Sequence, residues 1–133
     1  DSGLVNRYLE TIEIQAAAVA AALGSEARFN RVALGGGTPT FLEASELRRL
    51  FETLHRHYVI AQHAPTAVEL SPGTTTPDRL AVLREFRVTR ASVGVQSFIE
   101  SETRSLGRLQ NPTQLRTALE LLRAANFPVL NLI

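Results

Sequence analysis

The chain contains no cysteine, no methionine and no tryptophan among its 133 residues. Without cysteine these residues can form no disulfide, offer no thiolate nucleophile and supply no sulfur ligand to a metal. Long apolar runs are missing too. Nothing approaches the about 20 consecutive apolar residues of a membrane-spanning helix, and no signal-peptide pattern opens the sequence. Nor is there an excess of charge of either sign. The formal net charge is +1, and basic residues cluster no further than pairs such as Arg48 and Arg49. That argues against a nucleic-acid groove. The expectation is a soluble cytoplasmic protein that engages neither nucleic acid nor membrane. The length suits one domain or part of a larger one, and is enough to bury a core. A first residue Asp1 in place of methionine, and a strand-like "VLNLI" at the other end, make this chain read as part of a longer polypeptide.

What is present is an alternation. Four apolar β-like runs, "RVALGGG", "TAVELSP", "RASVGVQSF" and "PVLNLI", predict strands near 31–37, 66–71, 90–97 and 128–133. They are rich in Val and Leu and do not alternate cleanly with polar residues, as in strands covered on both faces of a parallel sheet. Between them lie amphipathic runs with start signals. In "EASELRRLFETL", Leu47, Leu50, Phe51 and Leu54 share a face and Ser45 is the expected N-cap. "TTTPDRLAVLREF" offers Thr76 as N-cap, Pro77 in the first turn, and Leu80, Leu83 and Phe86 as the buried stripe. "NPTQLRTALELLRAANF" repeats the arrangement with Asn111, Pro112 and a Gln114 placed as in a capping box. A long helix over Asn6 to Leu23 precedes the first strand and ends near Gly24. The class is therefore α/β, with parallel βα repeats joined by helical crossovers. The rhythm fits both a flat doubly wound sheet and part of a β/α barrel.

Each strand ends on something polar or bare. The first ends in Gly35, Gly36, Gly37 and Thr38. The second carries Glu69, the third Gln96 and the fourth Asn131. A carboxylate or amide in an otherwise apolar strand is costly unless it is paired or faces a ligand. In parallel β/α architectures the C-terminal strand ends form the ligand crevice. Consecutive glycines let a ligand lie against backbone N–H and C=O groups. Glu69 offers acceptors for ribose hydroxyls or an ammonium group, and Arg108 in "SLGRLQ" has the geometry to pair with a carboxylate. "GGGTPT" is a poor phosphate cradle: it lacks the Gly-Lys-Ser/Thr of a Walker loop, and Pro39 removes an N–H. His55 and His57 are two apart on a helix and share no face, and His63 falls in a loop, so no metal site is expected from them.

"GGGTPTFL", "VELSPGTTTPDRLAVLREFRVTRASVGVQSF" and "LGR", in that order, resemble the radical S-adenosylmethionine enzymes related to oxygen-independent coproporphyrinogen III oxidase, a group that includes haem chaperones. The resemblance runs from about Tyr8 to Ile133. It implies that residues 1–133 are part of one core domain, a partial (β/α)6 TIM-like barrel. It further implies S-adenosylmethionine and a 4Fe–4S cluster as cofactors, a reduced electron donor, and a porphyrinogen or haem as small-molecule partner. In the oxidase, a 5′-deoxyadenosyl radical opens the oxidative decarboxylation of propionate side chains. Carried over, Gly36, Gly37 and Thr38 line the methionyl end of S-adenosylmethionine, Glu69 and Gln96 reach its polar groups including the ribose, and Arg108 pairs with its carboxylate. The group has an aspartate in N-x-D-L-I on the next strand; here Asn131 stands near that place, or the aspartate is absent. The group's C-x3-C-x2-C is not in this chain. The expectation is a chain that begins just after that loop, the alternative a homologue without the radical chemistry. Open strand edges would favour dimerisation.

Overall fold

A computed structural model of the chain describes residues 2–95 and 111–133. Helix α1 (Ser2–Leu23) leads into β1 (Val32–Leu34), α2 (Ala44–His57), β2 (Thr66–Leu70), α3 (Pro77–Glu85), β3 (Arg90–Val93), α4 (Pro112–Ala125) and β4 (Val129–Leu132). The four strands form one sheet in the order β1-β2-β3-β4, and every pairing is parallel. Strands that neighbour in sequence and in space, joined by crossovers of one hand, put their helices on one side. Side chains of α2, α3 and α4 share a single core with Val68, Leu70, Ala91 and Val93 of the central strands. A doubly wound sheet would need helices on both faces. Among the described residues the opposite face carries none, so the architecture is a sector of a TIM-like barrel.

The strands are shorter than the apolar runs suggest. β1 stops at Leu34, because Gly36 and Gly37 leave the extended region for positive φ. β3 ends at Val93, with Gly94 and Val95 outside the strand, and the remainder of the run expected as far as 97 lies outside the described residues. Helix α1 begins at Ser2, four residues ahead of Asn6, and ends as expected before Gly24, whose φ is +82°. Helix α2 starts at Ala44, so Ser45 lies inside it and is not its cap. The cap is Glu43, in a reciprocal box with Glu46: the Glu46 carboxylate accepts from the Glu43 backbone N–H at 2.8 Å. Thr76 stands at the N-cap of α3, but its hydroxyl donates to the Asp78 carboxylate and caps no backbone N–H. That bond holds the Asp78 carboxyl below its ordinary value. Asn111 does cap α4, accepting from the N–H of Thr113 at 2.9 Å and of Gln114 at 3.4 Å. Asn126 closes α4 in the left-handed conformation that asparagine tolerates.

The packing centre lies between α2 and α3. Leu47 and Leu83 are fully buried, and the Phe51 ring stacks on Phe86 with centroids 4.8 Å apart. The Arg48–Glu85 pair bridging the two helices is solvent-exposed and contributes little. Phe51→Ala is expected to destabilise the protein by about 3–5 kcal/mol, the usual penalty for an aromatic cavity. Ile14→Ala, on the exposed side of α1, should change stability by less than about 0.5 kcal/mol. Urea denaturation of the two variants checks both, and equal effects would contradict this account of the core.

Candidate functional site

The site is built where β1 gives way to glycine. Gly36 and Gly37 have φ of +75° and +100°, a region that strains any residue with a Cβ. A Cβ on either would meet nothing within 4 Å. Backbone conformation, not crowding, therefore requires these two glycines, and the space above them is open. The chain then tightens into a short 3₁₀ turn at Pro39–Phe41, with Phe41 N–H donating to Thr38 O at 2.8 Å. Thr40 is fully buried, and its hydroxyl lies 2.6 Å from that of Thr74 in the loop after β2. Thr74 in turn meets the Ser71 hydroxyl at 2.9 Å, and the Thr75 hydroxyl donates to Ser71 O at 2.8 Å. From α3, Arg79 donates to Leu42 O at 2.8 Å and pairs with Glu43 at 3.0 Å. These contacts fasten the glycine loop to the end of β2.

The register then sets a row of polar groups. Glu69 pairs in register with Ser92, and Ser92 with Asn131. Register partners in a parallel sheet point to the same face, on strands about 4.8 Å apart. Leu34 pairs with Val68, so the next step brings Gly35 beside Glu69. The row Gly35, Glu69, Ser92, Asn131 thus crosses all four strands on the face away from the helices. Glu69 is exposed, Asn131 half-buried and Ser92 only 8% exposed. Among the described residues none of the three side chains has a hydrogen bond or ion pair. Polar groups in register on the sheet face away from the helices supply acceptors and donors to a ligand there, Glu69 the most accessible of them.

A cleft of about 580 Å³ opens at the Gly35 end of this row, a volume in the usual range for small-molecule sites, and Glu69, Ser92 and Asn131 are not among its lining residues. Gly35, Gly36, Gly37 and Thr38 form one wall, and apolar side chains of α1, including Leu4 and Tyr8, form another. Gly36, Gly37 and Thr38 share the wall of this cleft, while Glu69 meets the loop at Gly35 and Asn131 stands farther along the row. Gln96 and Arg108 lie outside the described residues. Sequence reasoning passes over Ser92, because a serine in "RASV" looks like any small strand residue. It also does not separate Gly35 from its two neighbours.

The sequence profile of the Radical SAM superfamily matches residues 5–133, and the chain belongs to that superfamily. It is a family that works with S-adenosylmethionine and a 4Fe–4S cluster. Within it, the chain is 31% identical to an oxygen-independent coproporphyrinogen III oxidase of Bradyrhizobium diazoefficiens, over 96% of this chain and 28% of that protein. It is 34% identical to the heme chaperone HemW of Escherichia coli, over 77% of this chain and 27% of that protein. The solved structure of Escherichia coli coproporphyrinogen III oxidase (HemN), described as a radical SAM enzyme, superposes with a TM-score of 0.85 at 28% identity. That match covers 96% of this chain and 29% of HemN. The chain thus spans under a third of the length of these relatives.

The Thr40–Thr74 link gives a direct test of how the loop is held. Thr40→Val keeps the shape and removes the hydroxyl, and should cost about 1 kcal/mol. The double variant with Thr74→Val should cost less than the sum of the single changes, because one bond joins the two residues. Additive losses in a denaturation cycle would show that the hydroxyls act separately.

Proposed function

We propose that the strand-end site binds S-adenosylmethionine, and that the protein is a radical S-adenosylmethionine oxidoreductase of the oxygen-independent coproporphyrinogen III oxidase kind, acting in haem and tetrapyrrole metabolism. The observation that carries the reading is the unpartnered row Glu69, Ser92, Asn131 beside an open glycine loop, on a scaffold like that of HemN. Residues 1–133 are then part of one core domain. Gly36 and Gly37 leave the methionyl end free to lie against the backbone, and Thr38 adds a hydroxyl at the same edge. Glu69 accepts hydrogen bonds from the polar groups of the nucleoside or from the ammonium group. In this reading Gln96 contacts the same nucleoside, and Arg108 pairs with the methionyl carboxylate through two charge-assisted hydrogen bonds.

When bound, the cofactors supply a hydrogen-abstracting radical; the chain's own share is binding and orientation. Its residues fit S-adenosylmethionine. They do not fit the 4Fe–4S cluster, since no thiolate is present among them, and the cluster ligands must come from outside these residues. The reading carries with it a porphyrinogen or haem as partner, a reduced electron donor, a cytoplasmic setting, and self-association through the free edges of β1 and β4.

The test uses the full-length gene product, reconstituted anaerobically with iron and sulfide. Release of 5′-deoxyadenosine together with loss of carbon dioxide from coproporphyrinogen III is the expected result. No iron–sulfur absorbance and no cleavage of S-adenosylmethionine would falsify the enzyme reading. Stoichiometric haem binding without decarboxylation would favour the chaperone role named for the 34% identical relative. Glu69→Gln is expected to bind S-adenosylmethionine at least about tenfold more weakly, the loss of one hydrogen bond to a charged group. Its unfolding should be unchanged, because Glu69 is exposed and unpaired among the described residues.

A further inference from the structure

The three glycines of the loop do not do the same work, and the first of them has a role of its own. Gly36 and Gly37 are required by positive φ. Gly35 is not: its φ lies outside the positive region, so its backbone accepts any residue. What excludes a side chain there is Glu69. An ideal Cβ on Gly35 would fall 2.9 Å from Glu69 Cδ, 2.9 Å from Oε1 and 3.1 Å from Oε2. A real Cβ essentially never comes within 3.0 Å of a heavy atom outside its own residue and its chain neighbours. All three terminal atoms of the carboxylate lie within that distance or just beyond it, so the group rests on the bare Cα of Gly35.

We propose that Gly35 is a positioning residue, whose missing Cβ is the seat of the Glu69 carboxylate. This rests on the reading of Glu69 as a contact for S-adenosylmethionine and sharpens it. Among the described residues nothing else fixes that carboxylate, which has neither a hydrogen bond nor an ion pair. A glutamate with free torsions loses more entropy on meeting a ligand than one already settled. The seat leans Glu69 toward β1, hence toward the open backbone of Gly36 and Gly37 and away from Ser92 and Asn131. The acceptor oxygens then stand at the mouth of the glycine loop. The displaced atoms would be the far end of a flexible side chain, so a methyl group at position 35 should move the carboxylate without disturbing the fold.

The experiment compares the full-length, cluster-reconstituted protein with Gly35→Ala, Glu69→Ala and the double variant. S-adenosylmethionine binding is measured by calorimetry and unfolding by thermal melt. Gly35→Ala is expected to melt with the unsubstituted protein and to bind roughly tenfold more weakly. In the Glu69→Ala background the same substitution should have no further effect, a coupling that general damage to the loop would not produce. Unchanged binding by Gly35→Ala overturns the proposal, as does a loss that persists undiminished when Glu69 is already alanine. If the unsubstituted protein does not bind S-adenosylmethionine, the functional reading fails. A crystal structure of Gly35→Ala then decides the seat alone: a carboxylate moved off residue 35 upholds it, and one still resting there overturns it.

Discussion

Parallel pairing in sequence order is the constraint on which the rest of this structure depends. Because β1, β2, β3 and β4 neighbour one another as they follow in the chain, each crossover returns on the same side. The helices therefore bury one face, where Phe51, Leu83 and Val93 meet. The other face is left to whatever the inward-pointing residues can bind. Had one strand been inserted out of order, a helix would have fallen across Glu69 and Ser92, and the row would have become a core layer that polar groups cannot occupy unpaired.

The site follows from that arrangement in two ways. Register brings one residue from each strand into a line, so Gly35, Glu69, Ser92 and Asn131 become neighbours although they are far apart in the chain. The loops at the strand ends are then tied to each other, through the Thr40 and Thr74 hydroxyls and through Arg79. A glycine loop alone would be a flexible connection. Anchored on a buried threonine at one end and a strand at the other, it holds positive φ at two successive positions and keeps its amides in place.

Much of this was legible in the sequence, for local reasons. Glu69 stands out because a carboxylate inside "AVELSP" has no cheap structural explanation. Asn111 and Pro112 mark the start of α4 because an asparagine cap and a proline in the first turn act within a few residues. Ser45 misleads by the same local logic: serine is the better intrinsic cap, but the Glu43–Glu46 box starts the helix earlier. Ser92 could not be singled out, since its meaning comes from Glu69 and Asn131 on adjacent strands. The three glycines are identical letters, and only φ and the nearness of the Glu69 carboxylate tell them apart. The choice between a doubly wound sheet and a barrel sector was likewise hidden, because hydrophobic period reports burial and not strand order.

The strand order also bears on how the molecule comes to be folded. Each strand finds its partner one helix away in the chain, so pairings span a few tens of residues and closure of each loop carries a modest entropic penalty. Such a topology can be assembled one βα unit at a time, each new strand laid on a finished edge, in the manner of a repeat protein. The central pair β2 and β3, with Val68 and Ala91 beneath it, is the natural first template. β1 contributes only three residues of ladder, so the glycine loop it carries depends for its hold on the Thr40–Thr74 contact and on Arg79.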